Sequence, residues 1–352
     1  MSFNFVKRYK LFNLMIAFLL VSSCSEILEP KSHNDPTKYR IVKDVLWASP
    51  DGFDLTMDIY TPNSRKKVYP VIVMFHGGGW LINDKSIMEQ AATYIATNAD
   101  YVVCNVNYRL LSDNGNSIKL DEIVNDAFGA VLWVKENIAF YDGNSSRIAV
   151  TGDSAGAHLS AMILNMGNHL SSEPFSMSSP RFKPSYLPIG KTAEEIAEEN
   201  GLAVQAAVLS YGAYDVYQAA IDGFETIKNP FWIASGSFGR GIFGDDFNVL
   251  DHPTMYRAVS PLHNIPNASD RPLPPQLLTA GSEDPVVTPS SVKLYLELLE
   301  SAGHSARYWE YQGKSHAFLD SGSNVFLGSN FETDAPQALN VMIKFLDEIF
   351  YP

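Results

Sequence analysis

Apolar and polar positions along this chain follow two periods, and the periods alternate. "YRIVKDVLWA" (39–48) and "FDLTMDIYTP" (53–62) switch character every second residue, as strands with one wet face do. They are expected as an antiparallel pair at a sheet edge. "YPVIVMF" (69–75) and "YVVCNVNY" (101–108) are continuous apolar runs, the pattern of strands covered on both faces. Between them "SIMEQAATYIATN" reads as helix. "LDEIVNDAFGAVLWVKENIAFY" (120–141) reads as a long amphipathic helix, with Ile123, Ala127, Ala130, Val131 and Val134 on one stripe. A strand at 147–151, a helix at 155–166 and the strand "LAVQAAVLSYG" continue the rhythm. "PPQLLTAG", "SSVKLYLELLESAG", "SARYWEYQG" and "APQALNVMIKFLDEIF" close it as strand, helix, strand, helix. The alternation predicts an α/β class fold: a mostly parallel, twisted sheet with helices on both faces, over residues 39–352.

Two stretches break the rhythm. Residues 169–201 are polar and proline-bearing, and "TAEEIAEEN" within them predicts a short exposed helix. They follow a helix, so they begin at the amino edge of the sheet. Residues 211–257 follow a strand, so they begin at the carboxyl edge. They carry nine aromatic residues from Tyr211 to Phe247 and are expected as a cap-like insertion. The competing reading is a satellite apolar cluster under long loops.

The carboxyl edge is also where the chemistry gathers. "RIAVTGDSAGAHLSAMIL" (147–164) passes from strand to helix through Gly152-Asp153-Ser154-Ala155-Gly156. In that setting a serine between two glycines reads as a nucleophile on a tight elbow. "FHGGGW" (75–80) follows the strand 69–75, and its three glycines expose backbone N–H groups that suit a developing oxyanion. A base and its orienting acid are expected later in the chain, in the order serine, acid, histidine. His304 enters its strand at the amino edge. His316, in "QGKSHAF", leaves that strand at the carboxyl edge and is the better base. Glu283 and Asp284 follow a strand together, and "DPVV" at 284–287 matches a recurring pattern that favours Asp284. His76 reads as a structural loop-holder and His158 as a packed helix residue.

Composition narrows the partners. The net charge of −13 argues against nucleic acid and against anionic membrane surface. Two cysteines with no metal-ligand spacing call for no metal, and the proposed chemistry needs no organic cofactor. Cys104 lies in an apolar run and is expected to be buried and inert, with no disulfide. At the N-terminus, Lys7, Arg8 and Lys10 precede an apolar core of about thirteen residues, too short for the roughly 20 that span a bilayer. The core ends at "VSSC", which resembles the lipobox of bacterial lipoproteins. That resemblance implies a signal peptide over 1–23, acylation of Cys24, a polar tether over 24–38, and export to a lipid-anchored place. Ser25 leans this towards the outer membrane.

Several stretches together, "VIVMFHGGGW", "NVNYRL", "DAFGAVLWVKENI", "GDSAGAHLSA", "AGSEDPVV" and "GKSHAF", resemble α/β-hydrolase carboxylesterases with an HGGGW oxyanion motif. These are the hormone-sensitive-lipase-like enzymes, and the nearest branch is that of bacterial feruloyl and acetyl esterases. The resemblance runs over roughly residues 40–352. It implies Ser154 as nucleophile, His316 as base and Asp284 as its orienter. It implies an oxyanion hole of Gly78, Gly79 and Ala155, with Gly77 as the competing donor in the loop. It further implies a small ester or an esterified glycan as substrate. Arg109 is expected to pair with Asp126 as structure. The sequence departs from the branch in lacking "APE" after "YRL", in Ala157 where a third glycine is frequent, and in two long insertions. A peptidase of the prolyl-oligopeptidase kind and a non-catalytic binding protein on a hydrolase scaffold are the alternatives.

Overall fold

The computed structural model describes residues 38–352, which form one compact unit. The segment expected as a signal peptide, Cys24 and all but the last residue of the expected tether lie outside the described residues. Ten strands occur: β1 (Tyr39–Ala48), β2 (Leu55–Pro62), β3 (Tyr69–Phe75), β4 (Val102–Val106), β5 (Gly143–Asp153), β6 (Ala206–Ser210), β7 (Gln276–Gly281), β8 (Ala306–Tyr311), β9 (Ser323–Asn324) and β10 (Ser329–Asn330). The helices are α1 (Glu89–Asn98), α2 (Asp113–Asn116), α3 (Leu120–Asn137), α4 (Ala155–Met166), α5 (Ala193–Glu198), α6 (Val216–Ile221), α7 (Pro230–Ala234), α8 (Pro253–Ala258), α9 (Pro289–Ser301) and α10 (Phe331–Phe350).

Eight strands make one sheet in the order β1-β2-β4-β3-β5-β6-β7-β8. β2 runs antiparallel to both its neighbours, and every other pairing in the sheet is parallel. With its helical crossovers this is the α/β-hydrolase fold. β3 and β4 are buried at every residue, which is why their sequences do not alternate. β1, at the edge, alternates and carries a bulge between Val42 and Val45, where Asp44 takes a φ of 54°.

The helices cover the sheet through the stripes read from the sequence. α1 packs on α10, and α3 packs on α4. The stripe of α3, Ile123 to Val134, is buried, Lys135 is half-buried with its ammonium donating to Ala203 O, and Glu136 faces outward. α4 is buried throughout, because it is enclosed by the sheet, α3 and the segments that follow it. Each fully buried leucine- or phenylalanine-sized side chain contributes about 1.5–3 kcal/mol, so these layers hold the carboxyl edge rigid.

α10 begins four residues before the apolar run that announced it. Asn330 caps it by accepting from Glu332 N–H, and Pro336 sits inside the helix rather than at its start. The expected helix within 169–201 is α5, closed by a reciprocal Thr192–Glu195 capping box. Residues 211–257 contain α6, α7 and the start of α8 joined by turns.

Candidate active site

β5 ends at Asp153 and α4 begins at Ala155, so Ser154 occupies the whole turn. Its φ of 51° and ψ of −114° lie where L-residues rarely go, at a cost of order 1–3 kcal/mol. Contacts on both sides impose the turn. Ser154 N–H donates to Ser210 O at 2.9 Å, and Ser154 O accepts from His158 N–H at 3.1 Å. A Cβ on Gly156 would lie 2.0 Å from the Phe75 carbonyl oxygen, and one on Gly152 would lie 2.3 Å from Gly156. Both glycines are therefore required by close approach of β3, β5 and α4.

The glycine loop leaves β3 directly beside this turn. Gly78 and Gly79 have φ of +118° and +61°, and Gly78 O accepts from Leu81 and Ile82 N–H, both at 3.1 Å. Gly77 rests on Asp153: a Cβ there would lie 2.3 Å from Asp153 Oδ2. Gly78 and Gly79 continue the loop beyond it. His76 and Tyr108 brace the loop from below. Their rings stack at 4.3 Å, His76 Nδ1–H donates to Gly77 O at 2.8 Å, and Tyr108 O–H donates to His76 O at 2.6 Å.

The acid and base arrive on the next strands. Asp284 Oδ1 accepts from Val286 and Val287 N–H at 2.8 and 2.9 Å, and Oδ2 accepts from His316 Nδ1–H at 2.7 Å. Both residues are buried. The carboxylate fixes the imidazole tautomer, so Nε2 is left as an acceptor. Glu283, the neighbouring carboxylate, is exposed, and its backbone N–H is bound to Lys314 O. The Tyr211 ring meets the His316 ring edge-on at 4.7 Å.

The other histidines are occupied elsewhere. His158 Nε2–H donates to Val259 O at 2.7 Å, and its Nδ1 accepts from Trp80 Nε1–H at 3.2 Å. Burial pushes the pKa values of His158 and His76 down to about 4, so both are neutral near pH 7. His304 Nε2–H donates to Pro266 O at 2.7 Å, before β8. Arg109 holds Asp126 through two nitrogens at 2.8 and 2.9 Å, tying the loop after β4 to α3. Cys104 is buried on β4, and burial pushes its thiol pKa up. Among the described residues no group of three or more His, Cys, Asp or Glu could hold a metal ion.

Two carboxyl groups here had no role in the sequence reading. Burial raises Asp153 to about pKa 6, against the pull of His316 and Gly77 N–H. Asp320, four residues past His316, is raised well above the carboxylate range by burial and by Asp153. Asp153 was visible in the elbow motif. Asp320 belongs to no motif, so only the fold brings it here.

Residues 211–257 lie against the glycine loop. The Phe231 ring lies on Gly79, with its nearest carbons 3.2 Å from where a Cβ would stand. Phe224 meets Trp80 edge-on at 5.5 Å. Arg240 ties the segment down by donating to Leu111 O, Asn116 O, Ile118 O and Gly241 O at 2.5 to 2.7 Å.

Comparison with known proteins agrees with this geometry. Residues 57–298 match the BD-FAE family. The esterase LipQ of Mycobacterium tuberculosis is 27% identical over 275 residues, covering 76% of this chain and 55% of LipQ. The carboxylesterase NlhH of the same organism is 26% identical over 271 residues, covering 77% of this chain and 73% of NlhH. This chain thus spans about half the length of LipQ. Among solved structures, a truncated carbohydrate esterase from gut microbiota superposes with a TM-score of 0.65 at 20% identity, over 90% of this chain and 99% of that one. Esterase Est2 of Thermogutta terrifontis superposes with a TM-score of 0.61 at 22% identity, over 89% and 93%. The matched residues cover well over half of the chain and run from β2 through the elbow and Asp284 into α9; the chain belongs to the BD-FAE family and has the α/β-hydrolase fold.

Proposed function

We propose that this protein is a serine carboxylesterase in which Ser154, His316 and Asp284 form the catalytic triad. The observation that carries the reading is the buried 2.7 Å His316–Asp284 bond at the same sheet edge as a serine held at φ 51°. His316 Nε2 takes the Ser154 proton as Oγ attacks the ester carbonyl. The N–H groups of Gly78, Gly79 and Ala155 hold the oxyanion, with Gly77 as the competing donor in the loop. His316 then protonates the leaving alcohol, and water repeats the cycle on the acyl-enzyme. The residues from 211 to 257 act as a cap that shapes the pocket, since Phe231 lies on Gly79.

The preferred substrates are acetyl or feruloyl esters carried on glycans. The nearest branch by motif and the fold likeness to a carbohydrate esterase support this. Cys24 would carry the lipid that anchors the exported enzyme to the outer membrane.

The test compares the full chain with Ser154→Ala on p-nitrophenyl acetate, butyrate and octanoate, on methyl ferulate, and on acetylated and feruloylated xylan. Removing the nucleophile lowers turnover by about 10⁶-fold, because triad members act as a unit. Equal rates in both proteins would reject the triad. Cleavage of the simple esters with no acetate or ferulate released from xylan would reject the glycan substrate.

A further inference from the structure

The 169–201 insertion has no part in the chemistry above, yet it builds a cavity. Its residues His169, Ser178, Ser179 and Arg181 face Thr254 and Arg257 from the α8 side, around a volume of about 580 Å³. The cavity lies at the far end of α4, whose last residue, Met166, also lines it. The helix has 12 residues, which places the cavity roughly 18 Å along it from Ser154.

Its charge is opposite to that of the chain. No carboxylate lines it, although the protein carries a net charge of −13. Neither guanidinium has an ion-pair partner among the described residues. Arg257 lies over the Tyr217 ring, 4.6 Å from its centroid, an arrangement that leaves the guanidinium edge free to donate. Arg271 adds a third positive charge close by, bound to the Leu164 and Asn165 carbonyls at the end of α4. Both Arg271 and Arg181 act on His169. Side-chain hydroxyls from Ser178, Ser179 and Thr254 add neutral donors. Two free planar forks among hydroxyls suit a carboxylate on a polyhydroxylated ring.

We propose that this cavity is an anchoring site for a uronate-bearing polysaccharide, with Arg181 and Arg257 gripping the sugar carboxylates. It deepens the glycan-esterase reading by naming the class of chain that carries the ester. A polymer held here could keep neighbouring esters close to Ser154 after each turnover, which raises their effective concentration.

The experiment is affinity electrophoresis of the full-length protein through gels containing polygalacturonate, with dextran as the neutral control. Arg181→Gln/Arg257→Gln is run beside the parent. The parent is retarded by polygalacturonate and not by dextran, and the retardation weakens as salt shortens the screening length below about 8 Å. The double variant binds at least about tenfold more weakly, as expected for two partly exposed charge-assisted contacts. Its rate on p-nitrophenyl acetate and its melting temperature stay at parent values. No retardation of the parent, equal retardation by dextran, or a double variant within twofold of the parent would overturn the site. Binding without any ester hydrolysis would overturn the esterase reading and leave this one standing. Hydrolysis without binding would do the reverse.

Discussion

The two sides of the active cleft are built differently. The sheet-edge side is made of backbone. Ser154, the Gly77–Gly79 loop and the His316–Asp284 pair are fixed by main-chain hydrogen bonds and by contacts that leave no room for a Cβ at Gly152 or Gly156. The facing segment, 211–257, is made of short helices and turns, and it leaves Ile227, Ile233, Phe238 and Leu250 two-thirds or more exposed. It is secured by side chains, with Arg240 on four carbonyls, Phe231 on Gly79 and Phe224 on Trp80. A side-chain clasp can be changed by one substitution, while a backbone arrangement needs several to change together. On the proposed reading, the reaction falls to the rigid side and the choice of ester to the adaptable one.

The sharpest way to break this division is Asp284→Asn. The carboxamide can still accept from Val286 and Val287, but it presents an N–H₂ to His316 and selects the wrong tautomer. Turnover of p-nitrophenyl acetate is expected to fall by about 10⁴-fold with little change in stability. A loss under about tenfold would remove Asp284 from the machinery.

A smaller effect probes how far the rigid side depends on neutral histidine. His158 has a pKa of about 4 in the fold against 6.5 in the unfolded chain, so the unfolded chain binds the proton first. Its contribution is complete above pH 6.5 and is lost as the pH falls towards 4. His158→Gln keeps a donor for Val259 O and an acceptor for Trp80 N–H but does not titrate. Denaturant unfolding at pH 7 and pH 4.5 should show the parent losing about 2–3 kcal/mol more than the variant between the two. Parallel losses would mean that His158 is not held neutral.

The smallest effect belongs to the facing segment. Arg240→Met releases its four carbonyl contacts at a cost of about 1–2 kcal/mol. KM on the preferred ester should rise severalfold while kcat stays within about twofold. A matching fall in kcat would join the two sides into one unit and dissolve the distinction.

The same division governs what the sequence made readable. β3 and α4 coincide with the runs 69–75 and 155–166, because an unbroken apolar strand and a glycine-bounded helix are local patterns. Ser154, the glycine loop, Asp284 and His316 were readable because each closes a strand at the same edge, and parallel topology alone brings such ends together. The start of α10 lies four residues ahead of the apolar run, because Asn330 caps a first turn whose residues carry no helical stripe of their own. The strand at "LAVQAAVLSYG" shortened to Ala206–Ser210, since only that part has neighbours on both sides. Asp320 and the bonds of Arg240 to Leu111, Asn116 and Ile118 depend on contacts with residues distant in the chain, and no local pattern announces them.

Asp153 has one more consequence. It precedes the residue at the elbow, and Gly77 of the glycine loop packs against its carboxylate so closely that a Cβ there would stand 2.3 Å from Oδ2. Serine and loop are thus suspended from one residue, so their thermal excursions are correlated. A displacement of this one side chain is expected to carry the elbow serine and the glycine loop together rather than apart.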